Sequence, residues 1–208
     1  MQTSGNRRIL AAAAIPDASA ARSGGNAGAC HAQMYIMGTV LRHGSDAQKI
    51  EILPNIASGE LRLQAFGVTE PTSGTDTSRI RTTAVRDGDD FVINGTKHFI
   101  SHADLADYTI LFAATGEEET TRGPKKLITS FLVDHDTPGL ELAPGYDSVS
   151  NRGYHNLILN FDDCRVPASK VLGEQDLAQC CVSMTMPLLL KTYYMFGICF
   201  CFFKISSK

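Results

Sequence analysis

From Cys30 the apolar residues recur at helical spacing: Cys30, Met34, Met37 and Leu41 stand at i, i+4, i+7 and i+11, one face of a helix that should stop near His43-Gly44. Ser45 stands three residues before Gln48, so its hydroxyl can cap the Gln48 N–H while the amide side chain reaches back. Ile50, Leu53 and Ile56 continue the apolar face of a second, short helix ending at Ser58-Gly59.

After Glu60 the helical period gives way to strand composition, starting with "LRLQAFGV". Asp87-Gly88 and Asn94-Gly95 read as two hairpin turns, because these dipeptides supply the positive φ angles that tight hairpins need. The runs "DYTILFAAT", "LITSFLVD" and "HNLILNFDDCRV" complete about half a dozen strands at the spacing of an antiparallel barrel or sandwich. The charged stretch "ATGEEETTRGPKK" is expected to be an exposed loop, and "HDTPGLELAPGYDSVSNRGYHN" to be turn-rich around Pro138-Gly139 and Pro144-Gly145.

Neither end follows this pattern. "MQTSGNRRILAAAAIPDASA" is rich in Ala, Ser and Arg, which suits either an unstructured extension or a transit-type leader, and its alanine core is too short for a secretory signal. The hydrophobic tail from Met184 to Phe203 reaches membrane-spanning length, but Pro187 and Lys191 interrupt it, so no membrane span is expected.

Charge and cysteine content narrow the partners. With 19 basic against 22 acidic residues among 208, and no basic block, the net charge of -3 offers nothing to nucleic acid or an anionic membrane surface, and a small-molecule site is the better default. Six cysteines without a CxxC pair argue against a zinc ribbon and for reduced thiols.

The most chemical stretch is "FGVTEPTSGTD", Phe66 to Asp76. Thr69, Ser73 and Thr75 can present hydroxyls, and Gly74 a close-approach backbone, to an anion or a heteroaromatic edge; the same residues also make ordinary turns. His98 and His102 share an i, i+4 spacing, but on a strand and its exit this spacing forms no common metal site; His43 and His155 suit surface or turn hydrogen bonds.

The ordered series "GTVLRHGSDAQKIEILPNIASGE", "FGVTEPTSGTD", "IRTTAVRDGDDFVINGTKHFIS", "DTPGL" and "FDDCRVPASKVLGE" resembles the acyl-CoA dehydrogenases over roughly residues 25 to 174. The resemblance implies an α+β chain: a short helical N-terminal segment followed by an antiparallel β-barrel middle domain, with the family's C-terminal helical bundle absent. It divides the sequence into an unstructured or transit-like extension at 1–24, a remnant of the helical N-terminal domain at 25–59, the barrel at 60–166, and at 167–208 a stub of the C-terminal domain with a hydrophobic tail foreign to the family.

The resemblance also implies FAD as cofactor, acyl-CoA as substrate and an electron-transfer flavoprotein as electron acceptor, in the α,β-dehydrogenation of acyl-CoA to the trans-2-enoyl thioester. Full-length relatives are homo-oligomers working in the mitochondrial matrix or the cytoplasm. Carried over by position, Phe66, Val68 and Thr69 match residues lining the flavin ring; Gly74 and Thr75 match the turn nearing the pyrophosphate; Phe99, Ile100 and Ser101 match an aromatic-Ile-hydroxyl segment flanking the ring. Thr75, Arg152 and Tyr154 are the substrate-side candidates, and each hydrophobic one among the flavin candidates is also an ordinary core residue. The resemblance gives Glu70 a structural place and puts the family's catalytic glutamate in the bundle, for which the 34 residues after Glu174 leave no room. The chain alone is therefore expected to be inactive, with weak flavin affinity; a non-catalytic barrel module with a binding role is the alternative.

Overall fold

The computed structural model describes residues 28–62, 65–74, 76–121, 123–147 and 155–176, with side chains from Ile36 onward. Two helices open it, α1 (Gly28–His43) and α2 (Asp46–Ser58). The capping box forms as expected: Gln48 N donates to Ser45 Oγ at 3.2 Å, Ser45 N donates to Gln48 Oε1 at 2.9 Å, and Gly59 closes the helix in the left-handed conformation. The buried stripes match those expected in part: Ile56 is buried, and Met37 and Leu53 pack half-buried against the same cluster. Ile36 and Val40 face inward on α1 while Leu41 is exposed, and Ile52 and Ile56 face inward on α2 while Ile50 is 76% exposed. Both helices carry apolar residues on more than one face, so packing rotates the buried stripe and leaves Leu41 and Ile50 outside it.

Seven strands follow: β1 (Ala65–Gly67), β2 (Thr83–Asp87), β3 (Asp90–Ser101), β4 (Tyr108–Thr120), β5 (Gly123–Asp134), β6 (Leu140–Pro144) and β7 (Asn156–Pro167). The order is β1-β4-β2-β3-β7-β6, with β5 on the other edge of β4. The expected antiparallel sheet is in fact mixed: β1 and β2 both run parallel to β4, since the chain reverses into β3 and again into β4 and so regains the direction of β2.

Asp87-Gly88 makes the expected hairpin between β2 and β3, with Gly88 at φ 64°. Asn94-Gly95 makes none. It lies within β3 opposite a bulge in β7, where Asp162 and Asp163 stand against Asn94; Asn94 Nδ2 donates to Asp163 Oδ1 and Asp163 N donates to Asn94 Oδ1. Gly95 is held at φ 146°, and a Cβ there would stand 2.7 Å from Thr82 Cα, so the glycine serves close packing of backbones.

The charged stretch expected as a loop is the far half of the β4–β5 ribbon. Glu117 pairs with Lys126 and Glu118 with Lys125 across it, so alternating charge at an exposed end stabilises strands rather than replacing them. Likewise the turn-rich segment contains β6, entered through Gly139 at φ 86°.

Two apolar clusters result. One fills the curled sheet, with Phe91 and Phe131 in edge contact at 5.1 Å and Ile100, Leu159 and Val166 around them. The other packs Ile36, Val40, Ile52 and Ile56 of the helices against Ile110, Phe112, Ile128 and Leu132 on the outer face of β4 and β5. Each fully buried large side chain contributes roughly 1.5–3 kcal/mol, which is what fixes the helices to the sheet. Gln48 adds a polar clasp by donating to the carbonyls of Ser169 and Val171, both at 3.0 Å.

Candidate functional site

Glu70 organises the polar loop that follows β1. A tight turn joins it to Ser73, Glu70 N donating to the Ser73 carbonyl at 2.7 Å, with Pro71 supplying the preset φ. Its buried carboxylate accepts from Arg81 N at 2.7 Å, Thr82 N at 2.9 Å, Thr82 Oγ1 at 2.7 Å and Lys97 Nζ at 2.8 Å. One side chain thus closes both ends of the loop between Pro71 and Ile80. Asp76 orders the interior by accepting from Ser78 N at the start of a short 3₁₀ turn over Thr77–Arg79.

Lys97 is the residue that sequence reasoning missed. It is fully buried, and its ammonium bridges the Glu70 carboxylate and the Val68 carbonyl at 3.2 Å. Burial pushes the Lys97 pKa down to about 8, against the pull of Glu70. On the carboxylate burial acts upward, but the Lys97 charge and the hydrogen bonds from Lys97 and Thr82 outweigh it and hold the pKa below its ordinary range. The signal available was parity: Phe91, Ile93 and Lys97 fall on the inward alternation of one strand.

This pair joins two distant segments of sequence. His98 N donates to the Thr69 carbonyl at 2.9 Å, so the end of β1 lies alongside the end of β3. A second bulge, between Lys97 and Ile100, puts Phe99 at φ 57°, an uncommon conformation for a bulky residue, and turns its ring outward to 56% exposure. The Phe99 ring stacks on Tyr146 with centroids 5.1 Å apart and planes at 23°, and His98 stands 6.2 Å from each ring.

The sequence candidates separate accordingly. Thr69 and Ser101 are half-buried, and neither hydroxyl bonds another described residue. Phe99 and these two hydroxyl residues come from the adjoining ends of β1 and β3. Phe66 and Val68 pack toward the helix-side cluster, Phe66 lying 5.0 Å from Phe112, and both remain partly accessible. The Ile100 side chain is enclosed in the core of the curled sheet, so only its backbone can meet a ligand. Gly74 is exposed, its φ is outside the left-handed region, and a Cβ added there meets nothing within 4 Å. Among the described residues nothing requires glycine at that point. Thr75, Arg152 and Tyr154 lie outside the described residues, as do the N-terminal extension and the hydrophobic tail.

The histidines keep to local roles. His155 Nδ1 lies 2.5 Å from Asp104 Oδ2, and His102 N donates to the His155 carbonyl, tying the exit of β3 to the entrance of β7. Among the described residues no group of three His, Cys, Asp or Glu could hold a metal ion, and no helix is long and apolar enough to cross a membrane. A separate cavity of about 560 Å³ lies between the start of α2 and the segment after β7, lined by Gln48, Glu51, Arg86 and Lys170 among others. None of the sequence candidates lines it, so we place the candidate site at the aromatic surface.

The class is defined by the mixed, curled sheet with its helical flank: residues 65–164 match the acyl-CoA dehydrogenase middle domain. An acyl-CoA dehydrogenase of Bacillus subtilis is 35% identical over 136 residues, covering 65% of this chain and 35% of the relative. The rat mitochondrial short-chain specific acyl-CoA dehydrogenase is 36% identical over 138 residues, covering 66% and 32%. Among solved structures, a glutaryl-CoA dehydrogenase of Mycobacterium smegmatis in complex with FADH2 superposes with a TM-score of 0.63 at 34% identity, over 73% of this chain and 37% of that one. Residues 65–164 thus form an acyl-CoA dehydrogenase middle domain, and it is through this domain that the chain is similar to the acyl-CoA dehydrogenases. It spans about a third of the length of the curated relatives it matches.

Proposed function

We propose that the described domain is the flavin-side wall of an FAD-dependent acyl-CoA dehydrogenase, serving the α,β-dehydrogenation of an acyl-CoA thioester to its trans-2-enoyl product. The observation that carries this reading is the adjacency of Thr69, Phe99 and Ser101: two hydroxyls without a partner among the described residues and an outward aromatic ring, gathered from segments about thirty residues apart. A flat heteroaromatic ring with polar edges fits such a surface, since the aromatic face stacks and the hydroxyls fix orientation.

When bound, FAD would supply the hydride acceptor. The chain's own residues bind and orient it. Thr69 and Ser101 offer hydrogen bonds to the polar edge of the ring system, and Phe99 covers a face. Gly74, where none of the described residues needs glycine, leaves the backbone open to a diphosphate. Thr75, the next residue in sequence, is proposed to share that contact and to reach the acyl-CoA. Arg152 and Tyr154 are proposed on the acyl side. An electron-transfer flavoprotein is the proposed oxidant of the reduced cofactor.

No catalytic base is assigned among these residues. Glu70, the carboxylate nearest the site in sequence, is buried and accepts from Lys97, Thr82 and Arg81, which gives it a structural place. Proton abstraction from the acyl α-carbon therefore falls to a group outside the described residues.

The test is an anaerobic titration of the chain with FAD, followed by addition of acyl-CoA thioesters from butyryl to palmitoyl. Quenching and polarisation of flavin fluorescence on addition of protein are expected, with no bleaching by any thioester. Absence of flavin binding would favour the non-catalytic module. Bleaching would place a base within this chain.

A further inference from the structure

Tyr146 is the one large aromatic at this surface that the flavin reading above leaves without a part. Its place is built with some care by the fold. β6 ends at Pro144, and Gly145 N then donates to the Asn156 carbonyl at 2.9 Å; a Cβ on Gly145 would stand 2.3 Å from that same oxygen. Asn156 is in turn the partner of Ser101 across β3 and β7. The close turn at Gly145 thus delivers the next residue to the bulge that carries Phe99.

Both rings are more than half exposed, at 56% for Phe99 and 55% for Tyr146, yet they lie nearly parallel at 5.1 Å. An exposed phenyl ring on a bulge has little packing of its own to select a rotamer. A second ring stacked on one face, with His98 at the edge of both, supplies that selection.

We propose that Tyr146 is a positioning residue: its ring backs Phe99 and fixes the opposite face of Phe99 for contact with the flavin. The proposal rests on Phe99 being the ring that flanks the cofactor. It requires the aromatic ring of Tyr146 and not its hydroxyl, because the contact is face to face.

The chain contains no tryptophan, so F99W provides a single fluorescent reporter at the site. In the absence of flavin, F99W/Y146A is expected to show lower tryptophan anisotropy and roughly twofold greater acrylamide quenching than F99W, whereas F99W/Y146F should match F99W. On titration with FAD, Y146A should weaken binding about two- to tenfold, the range that loss of one aromatic stack produces, and Y146F should leave it unchanged.

Identical anisotropy and quenching in F99W and F99W/Y146A would overturn the proposal, as would an FAD affinity indifferent to Y146A. If FAD binds none of the variants, the flavin reading fails; the anisotropy comparison still decides whether Tyr146 holds residue 99.

Discussion

Lys97 Nζ lies 2.8 Å from Glu70 Oε1, with side chains 0% and 2% exposed, and this contact joins the loop after β1 to the end of β3. A pair so deeply buried adds little net stability over an apolar replacement, because desolvation cancels much of the attraction. Its value is geometric. It sets Thr69 beside His98, and so places the hydroxyl and aromatic segments of the proposed site next to one another.

Breaking the pair from one side should be severe. K97M leaves the Glu70 carboxylate buried without its cation and is expected to cost about 3–5 kcal/mol in urea unfolding. E70Q/K97M removes the charge and keeps one amide oxygen to accept from Thr82, at the cost of the acceptor for Arg81 N, so it should recover part of that loss. A double variant as unstable as K97M alone would mean that the charge pairing is not the source of the penalty.

The pH dependence follows from the carboxylate. Its folded pKa lies below the ordinary 4.5, so the unfolded chain takes up a proton first as pH falls. Glu70 therefore contributes stability that is fully present above 4.5 and disappears as pH falls through its lower folded value. Urea midpoints measured from pH 6 downward should fall less steeply for E70Q than for the parent chain; parallel acid limbs would contradict this.

Two glycines separate folding from binding. G95A drives a Cβ into Thr82 at a backbone held at φ 146°, and is expected to destabilise by more than about 3 kcal/mol or to prevent folding. G74A meets nothing within 4 Å and should change stability by less than about 0.5 kcal/mol, while weakening FAD binding. A G74A chain with unaltered FAD affinity would remove Gly74 from the proposed site.

Helix α2 offers a purely structural control. S45A removes the cap on Gln48 N and should cost about 1 kcal/mol. Q48A should cost more, since the Ser169 and Val171 carbonyls lose their donor as well. Neither change touches the aromatic surface, so FAD affinity at saturating folded fraction should be unaffected.

Local signals were legible in the sequence, and long-range ones were not. The Ser45/Gln48 box and the Asp87-Gly88 hairpin each depend on a few neighbouring residues and form as their chemistry directs. Asn94-Gly95 carries the same hairpin chemistry, but the residues it meets across the sheet, Thr82 13 residues before Gly95 and Asp163 69 residues after Asn94, keep it inside a continuous strand opposite a bulge in β7. The parallel pairing of β1 and β2 with β4 likewise depends on where the chain returns. At the site, Thr69, Phe99 and Ser101 were found through the ordered motifs they belong to. Lys97 was passed over because a lysine in a strand usually faces solvent, and only its inward parity beside Phe91 and Ile93 distinguished it. Tyr146 stands in a turn-rich stretch with no periodicity to mark it, and its stack on Phe99 exists only in three dimensions.

The account is tested most directly by mapping FAD onto the ¹⁵N-labelled chain through changes in amide chemical shift. It predicts that the largest changes cluster at Phe66 to Thr69, at Gly74 and at Phe99 to Ser101. Changes confined to the cavity lined by Gln48, Arg86 and Lys170, or none at saturating FAD, would contradict it.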